Sequence, residues 1–579
     1  MRNLFEVFAL KEDKTHVKVT SLQNPDLVPL PPHRRTWDLW GFAAYWLMHN
    51  MALSSFTSAA TILSYGLSVP YAMAVVLIGN AMTAVHTILN GQPGGDHHIS
   101  FTSYTRILFG SKGFYLGIFI RASLSVVWYA SQAWLGGLML NTLLSALSHH
   151  YLTLENTFPD SVPFTSKELI GFCLFQLGII PFIIKMPHQV KGYMAISAAF
   201  GYMAIIGICV ASVVDNGGNG PLMSAHSNTV HGSAFSWTFV KSLSQWYGSS
   251  CSGTLNKPDF TRFSKHKYSQ VPGTIIGKML LATFVPFMGI VSASASKGRW
   301  GTTIWKPNQL MDTWMEHNYS PGVRAGCFFA ALALTNIQLV FNSVGNCWAF
   351  SMDFAGVMPR YMNIRRGTAL ACVLIWVIQP WTMYNTSTNF GTVMTGFSVF
   401  ISPLIGVIIC DYWIIRRRRL KLSDLYTDSP DGIYYFYKGY NVQGLVTFFV
   451  ALAPGLPGLI SSANPSIKLN NEGIMHYYYG NTLFGWFIGF FLYWALCTIW
   501  KPKGLGEMDE GDYYGTYWPE ECEYWGVLKQ DQIDKKTLSK YVSVDELETE
   551  TSATNSETEE IDGASVEKQP VISVKESKV

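Results

Sequence analysis

The sequence predicts an all-α polytopic membrane protein with about twelve transmembrane helices, and three observations carry that prediction. Of 579 residues, 49% are hydrophobic and only 14% charged, against roughly 25% charged in an ordinary soluble domain. Apolar runs close to the roughly 20 residues that a bilayer requires recur along the chain. The basic residues gather in alternate loops between those runs, as the positive-inside rule demands of cytosolic loops. A formal net charge of +3, segregated between apolar runs, gives no support to nucleic-acid binding. The nine cysteines show no CxxC or Cys/His ligand spacing, so they read as helix packing, and no metal or cofactor is expected.

Residues 1–35 are polar and then proline-rich, and read as a cytosolic tail with too short an apolar run for a secretory signal. Residues 36–500 form the membrane domain. Residues 501–579 turn polar, then acidic and rich in Ser and Thr, and read as a largely disordered cytosolic tail. Its lysines, such as Lys568, Lys575 and Lys578, are open to regulatory modification such as ubiquitylation, or serve solubility alone.

The first span covers residues 37–63, and its centre, 49–55, is polar at a depth where leucine would be cheap. That marks either a broken helix or hydroxyls satisfied within a continuous one. His49 stands there as a ligand or a packing histidine. The second and third spans fall near 69–89 and 114–140. On the third, Trp128 and Gln132 are four residues apart and share a helix face. An aromatic plane beside an amide suits a flat nitrogen heterocycle, while packing and an interhelical hydrogen bond explain the same pair.

Further spans lie near 169–184, 193–214, 235–255, 275–293, 322–350, 369–383, 391–410, 442–460 and 482–500. In the sixth, Gly248, Ser249, Ser250, Cys251, Ser252 and Gly253 crowd small residues together before the polar run 256–262. Such a stretch lets backbone unwind or a ligand approach, so a broken helix is expected, with Ser249 and Ser250 facing the substrate. The first and sixth spans occupy corresponding places in two five-helix halves, which predicts an inverted repeat with two helices appended.

The eighth span adds Asn342 and Asn346, then Asp353 seven residues on. Asp353 is a proton carrier, or an ion-pair partner for the basic loop 360–366. The tenth carries Phe390 and Phe397 among small residues, a composition that serves gating and core packing equally.

The run Asn256-Lys257-Pro258-Asp259-Phe260-Thr261-Arg262, with residues 128–137, Met352-Asp353 and Ile364-Arg365-Arg366-Gly367, resembles the fungal nucleobase:cation symporter-1 family. The likeness is to its branch of uracil, uridine, allantoin, thiamine and nicotinamide riboside permeases. The resemblance implies a five-plus-five inverted-repeat fold of the LeuT-like type, alternating access, and import of a small nitrogen heterocycle. It further implies that Trp128 stacks on the substrate, that Gln132 and Asn346 hydrogen-bond it, and that a proton rather than sodium is the coupling ion. Asp353, His49 and Asp26 are the candidate coupling residues, in that order. The third span resembles the uracil, uridine and allantoin permeases; residues 148–152, 318–320, 352–356 and 454–458 resemble the thiamine and nicotinamide riboside group.

An enzyme is not expected: His97-His98 and His149-His150 fall on opposite membrane sides with no HxxxH partner. The remaining alternative is a nutrient sensor on the same scaffold. Expected partners are the small-molecule substrate and the lipid bilayer, with the plasma membrane as location and both termini cytosolic.

Overall fold

The computed structural model describes residues 22–23, 27–184, 191–358 and 361–542. Among them, every regular element is helical, apart from three isolated β-bridges. Eight helices are long and apolar enough to cross a membrane, at the expected second, third, fifth, seventh, eighth, tenth, eleventh and twelfth positions. Further helices stand at the other four. They are Leu39–His49 with Leu53–Ser64, Ser166–Ile184, Gly232–Leu255 and Ile364–Ile378.

The first span is broken where its polar centre predicts. Leu39–His49 ends at Asn50, and Leu53–Ser64 starts after the extended Ala52. Asn50 Nδ2 donates to the Gly277 carbonyl at 2.9 Å, so the side chain that ends the first half also fastens it to the seventh span.

The sixth span departs from expectation. Gly232–Leu255 runs as one helix through Gly248–Gly253, and the chain turns only at Asn256 before the short Lys257–Thr261 helix. The small residues serve approach rather than unwinding: a Cβ on Gly248 would collide with the Met394 carbonyl of the tenth span. Pro258, the second residue of the short helix, has no N–H to lose there, which places the stop after the polar run begins.

The sixth span packs against the second and tenth, and the third against the fourth and eighth. The second half of the first lies on the seventh. Among the described residues, three π-helical turns occur: Ile276–Leu281 and Asn342–Cys347 interrupt the seventh and eighth spans, and Cys410–Ile415 ends the tenth. Such turns are frequent at functional sites.

The expected polar tail is folded over its first part. Residues 501–542 lie back on the bundle end that carries residues 27–37, and Pro519–Trp525 forms a helix there. Tyr517 Oη meets His97 Nδ1 at 2.8 Å, Arg35 Nη1 reaches Glu521 Oε2 at 3.0 Å, and Gln23 donates to the Tyr541 carbonyl at 3.0 Å. Cys522, Tyr514 and Tyr517 are buried, so this segment shares the core of the membrane domain. Asp26, Arg360 and the lysines beyond residue 542 lie outside the described residues.

Candidate functional site

At the centre of the bundle is a cavity of about 20 Å³, lined by residues that include Arg121, Trp128, Ser252, Asn256, Asn346 and Ile401. It has room for about one water. The third, sixth, eighth and tenth spans converge here, and each supplies at least one of these side chains.

Trp128 stacks on Phe397 with ring centroids 5.1 Å apart and planes inclined by 16°. Such a pair contributes about 0.5–1.5 kcal/mol beyond its area burial, and the indole closes the cavity wall. Its Nε1 is buried with no hydrogen-bond partner. Gln132 lies one turn further on and is fully buried. Its carbonyl Oε1 accepts from Gln338 Nε2 at 2.5 Å, whereas its own Nε2 has no partner. Two buried N–H groups without acceptors are costly in a dry interior, by roughly 1–3 kcal/mol each. Trp128 lines the cavity, whereas Gln132 lies outside its lining.

On the eighth span the π turn sets Asn346 against Asn342: Asn346 Nδ2 donates to Asn342 Oδ1 at 2.9 Å, and Asn342 Nδ2 donates to the Tyr129 carbonyl at 3.0 Å. Asn346 is thus held from behind while its face lines the cavity.

Beside the cavity, Arg121 joins two carboxylates. Its Nη2 is 2.5 Å from Asp259 Oδ2 and its Nε is 3.0 Å from Asp353 Oδ2, with all three side chains buried. Neither contact has in-line hydrogen-bond geometry, so charge holds the group together. Asp259 Oδ1 also accepts from the Phe101 backbone N–H at 2.8 Å. The pairing of Asp353 with the basic loop 360–366 gives way here to Arg121, because Asp353 faces the third span inside the bundle. Beyond this triad, Lys257 Nζ sits 4.5–4.9 Å from the ring centroids of Phe42, Tyr45 and Trp46. Lys278 Nζ lies 4.6 Å from Trp46. Both amino groups face aromatic rings.

The other sequence candidates fall around this centre. His49 packs among Tyr45, Trp46 and Phe341, close to Gly253, and its Nδ1 is buried without a partner. Ser249 turns its hydroxyl back onto the Trp246 carbonyl at 2.7 Å, and neither it nor Ser250 lines the cavity; Ser252 and Asn256 do. Phe390 packs with Trp305 and Tyr384, seven residues from Phe397 and so about 10 Å away along the helix.

Sequence reasoning passed over Arg121, Gln338 and Lys257. Arg121 carried a signal, since an ionisable residue within a span is functional by default, and Lys257 stood in the polar run 256–262; Gln338 carried none apart from its neighbours.

Residues 29–498 match the family model described as permease for cytosine/purines, uracil, thiamine, allantoin. In Saccharomyces cerevisiae, nicotinamide riboside transporter 1 is 36% identical, and thiamine transporter THI72 35% identical. Each match spans 91% of this chain and 88% of the relative. The allantoin permease of the same yeast is 29% identical over 92% of this chain and 86% of its own length. The inward-facing structure of Mhp1 superposes with a TM-score of 0.65 at 18% identity, covering 85% of this chain and 97% of that one. A LeuT-like fold is therefore shared, and the chain is a multi-pass transporter rather than an enzyme. The sensor alternative finds no support among these relatives, whose names are those of transporters and permeases. By the match over residues 29–498 and the identity to full-length permeases, the chain belongs to the nucleobase:cation symporter family of cytosine/purine, uracil, thiamine and allantoin permeases.

Proposed function

We propose that this transporter imports a positively charged nitrogen heterocycle of the thiamine or nicotinamide riboside type by proton symport with alternating access. It acts at the plasma membrane with both termini in the cytosol. The observation that carries the reading is the buried contact group of Arg121, Asp259 and Asp353 beside the Trp128–Phe397 stack. One guanidinium between two carboxylates leaves one negative charge unbalanced, which a proton or a quaternised ring nitrogen neutralises. Aromatic faces attract such cations. The relatives above 30% identity that bear the names nicotinamide riboside and thiamine transporter favour this class over neutral uracil or allantoin.

Alternating access is supported by the size of the cavity. A space for one water holds no heterocycle, so substrate entry requires the spans around it to part, and the broken first span beside it gives a place to yield. Coupling then requires that proton and substrate each favour the same state. Asp353 is the first candidate to carry the proton, ahead of His49 and Asp26.

The test is uptake of radiolabelled thiamine, nicotinamide riboside, uracil, uridine and allantoin in a transport-deficient yeast, at two external pH values. Uptake of thiamine or nicotinamide riboside that rises at acid pH is expected. Uptake confined to uracil, uridine or allantoin overturns the substrate class, and pH-independent uptake overturns proton coupling. Gln132→Ala is expected to abolish uptake at normal surface abundance, and full uptake in that variant removes Gln132 from the site.

A further inference from the structure

Gln338 lies on the eighth span, two turns before Asn346, and is fully buried. Its Nε2 donates twice to one residue, to Gln132 Oε1 at 2.5 Å and to the Gln132 backbone carbonyl at 3.1 Å. Its Oε1 faces the Leu53 backbone N–H at 3.5 Å, a long contact. That N–H opens the second half of the first span, whose N-cap, Ala52, supplies no side-chain acceptor. One amide therefore connects three spans, one helical turn along the third from Trp128 on the cavity wall.

We propose that Gln338 is a positioning residue that fixes Gln132 as a hydrogen-bond donor toward the substrate and ties that orientation to the first turn of Leu53–Ser64. This rests on the reading of Gln132 as a substrate contact. The physical reason is the two-sided chemistry of a primary amide, which has an acceptor end and a donor end and can exchange them by rotation. With Gln338 donating to the oxygen, the Gln132 oxygen is occupied and its NH₂ is the end left over, buried and unpartnered. The site then selects a ligand that presents an acceptor at that point, a carbonyl oxygen or an unprotonated ring nitrogen. A ligand that offers an N–H there leaves two donors face to face, and a site built to hydrogen-bond a group rejects its mismatch strongly. Because the Gln338 oxygen turns toward the first span, a shift of that half-helix away from Leu53's present place frees the Gln338 amide to rotate. The donor set by Gln338 is thus held when the first span is seated.

The test compares Gln338→Met, close in volume but without an amide, with wild type. Uptake of radiolabelled thiamine and nicotinamide riboside is measured per molecule at the surface, with competition by unlabelled uracil and allantoin. The expected result is a KM raised about tenfold with Vmax within about twofold, the pattern of lost substrate binding, and a weaker preference for the transported ligand over its competitors. A residue that only supports the fold lowers surface abundance and leaves KM and ligand ranking unchanged, and that result overturns the proposal. Should Gln338→Met fail to reach the surface, Gln338→Asn keeps the amide one methylene short. The same rise in KM is expected of it, and an unchanged KM overturns the proposal. Gln132→Ala separates the two readings. Full uptake in Gln132→Ala overturns the substrate contact itself, whereas lost uptake there with unchanged KM in the Gln338 variants overturns only the role of Gln338.

Discussion

Arg121, Asp259 and Asp353 show how charge count at single residues decides what a substitution does. Asp353→Asn leaves Arg121 paired one-to-one with Asp259, a balanced contact. Arg121→Leu instead leaves two carboxylates buried against one another, and breaking a buried pair in this way costs about 3–5 kcal/mol. The expected outcome is that Arg121→Leu reaches the cell surface poorly, whereas Asp353→Asn reaches it near wild-type levels and loses the rise of uptake at acid pH. Quantitative surface labelling and uptake at two pH values check both. Equal abundance of the two variants would show that the triad does not hold the third span, the eighth span and the Lys257–Thr261 helix together. Part of the cavity wall was legible at this scale. Trp128 and Asn346 line the cavity, and their helical spacing and family likeness both marked them. Ser249 and Ser250 read as substrate contacts because small hydroxyl residues suit a ligand, yet a serine inside a helix satisfies itself on a carbonyl three or four residues back, as Ser249 does on Trp246. Which carboxylate Arg121 meets depends on the approach of two other spans, which no local pattern encodes.

The spans themselves teach a different lesson about small residues. In the first, polar Asn50 at the break fastens to the seventh span, and the break is visible in sequence because His49, Asn50, Ser54 and Ser55 flank it with polar groups. In the sixth, glycines and serines produced the same expectation, but the helix stays whole because its neighbour comes close enough to need them. Gly248 is the point of contact, with the Met394 carbonyl where a side chain would begin. Gly248→Ala is therefore expected to force the sixth and tenth spans apart, at the roughly 1–3 kcal/mol that overpacking costs. Gly207→Ala, on the fifth span with open space around it, is expected to be neutral. Thermal stability of the two purified variants checks the contrast. A Gly248→Ala protein as stable as Gly207→Ala would mean that the sixth span has slack at that level, as an unwound segment would.

For the whole molecule, the boundary between membrane domain and tail lies later than composition suggests. Residues 501–542 are polar enough to read as tail, but they bury Tyr514, Tyr517 and Cys522 against surfaces that the bundle and residues 27–37 supply jointly, and a segment scanned alone cannot show a partner surface. Asp512 sits at the heart of this seam. Its two carboxylate oxygens accept from the backbone N–H groups of Thr516 and Tyr517 at 2.8 and 2.7 Å. Burial pushes its pKa up to about 6, against the opposing pull of those N–H groups and of Arg35. Undocked, the same carboxyl titrates near 3.9. The docked form thus holds its proton more tightly, so its stabilisation is fully present below about pH 3.9 and is lost as pH rises through about 6. Residues 501–542 are accordingly expected to resist limited proteolysis better at pH 5.5 than at pH 7.5 in purified full-length protein. Asp512→Asn, uncharged at both values, is expected to flatten that difference. Tyr517→Phe, which removes the contact with His97 and leaves Asp512 in place, is expected to weaken protection at both pH values by the roughly 1 kcal/mol of one hydrogen bond while keeping the pH dependence. A pH dependence that survives Asp512→Asn would move the titration to another group at the seam and leave Asp512 a structural acceptor alone.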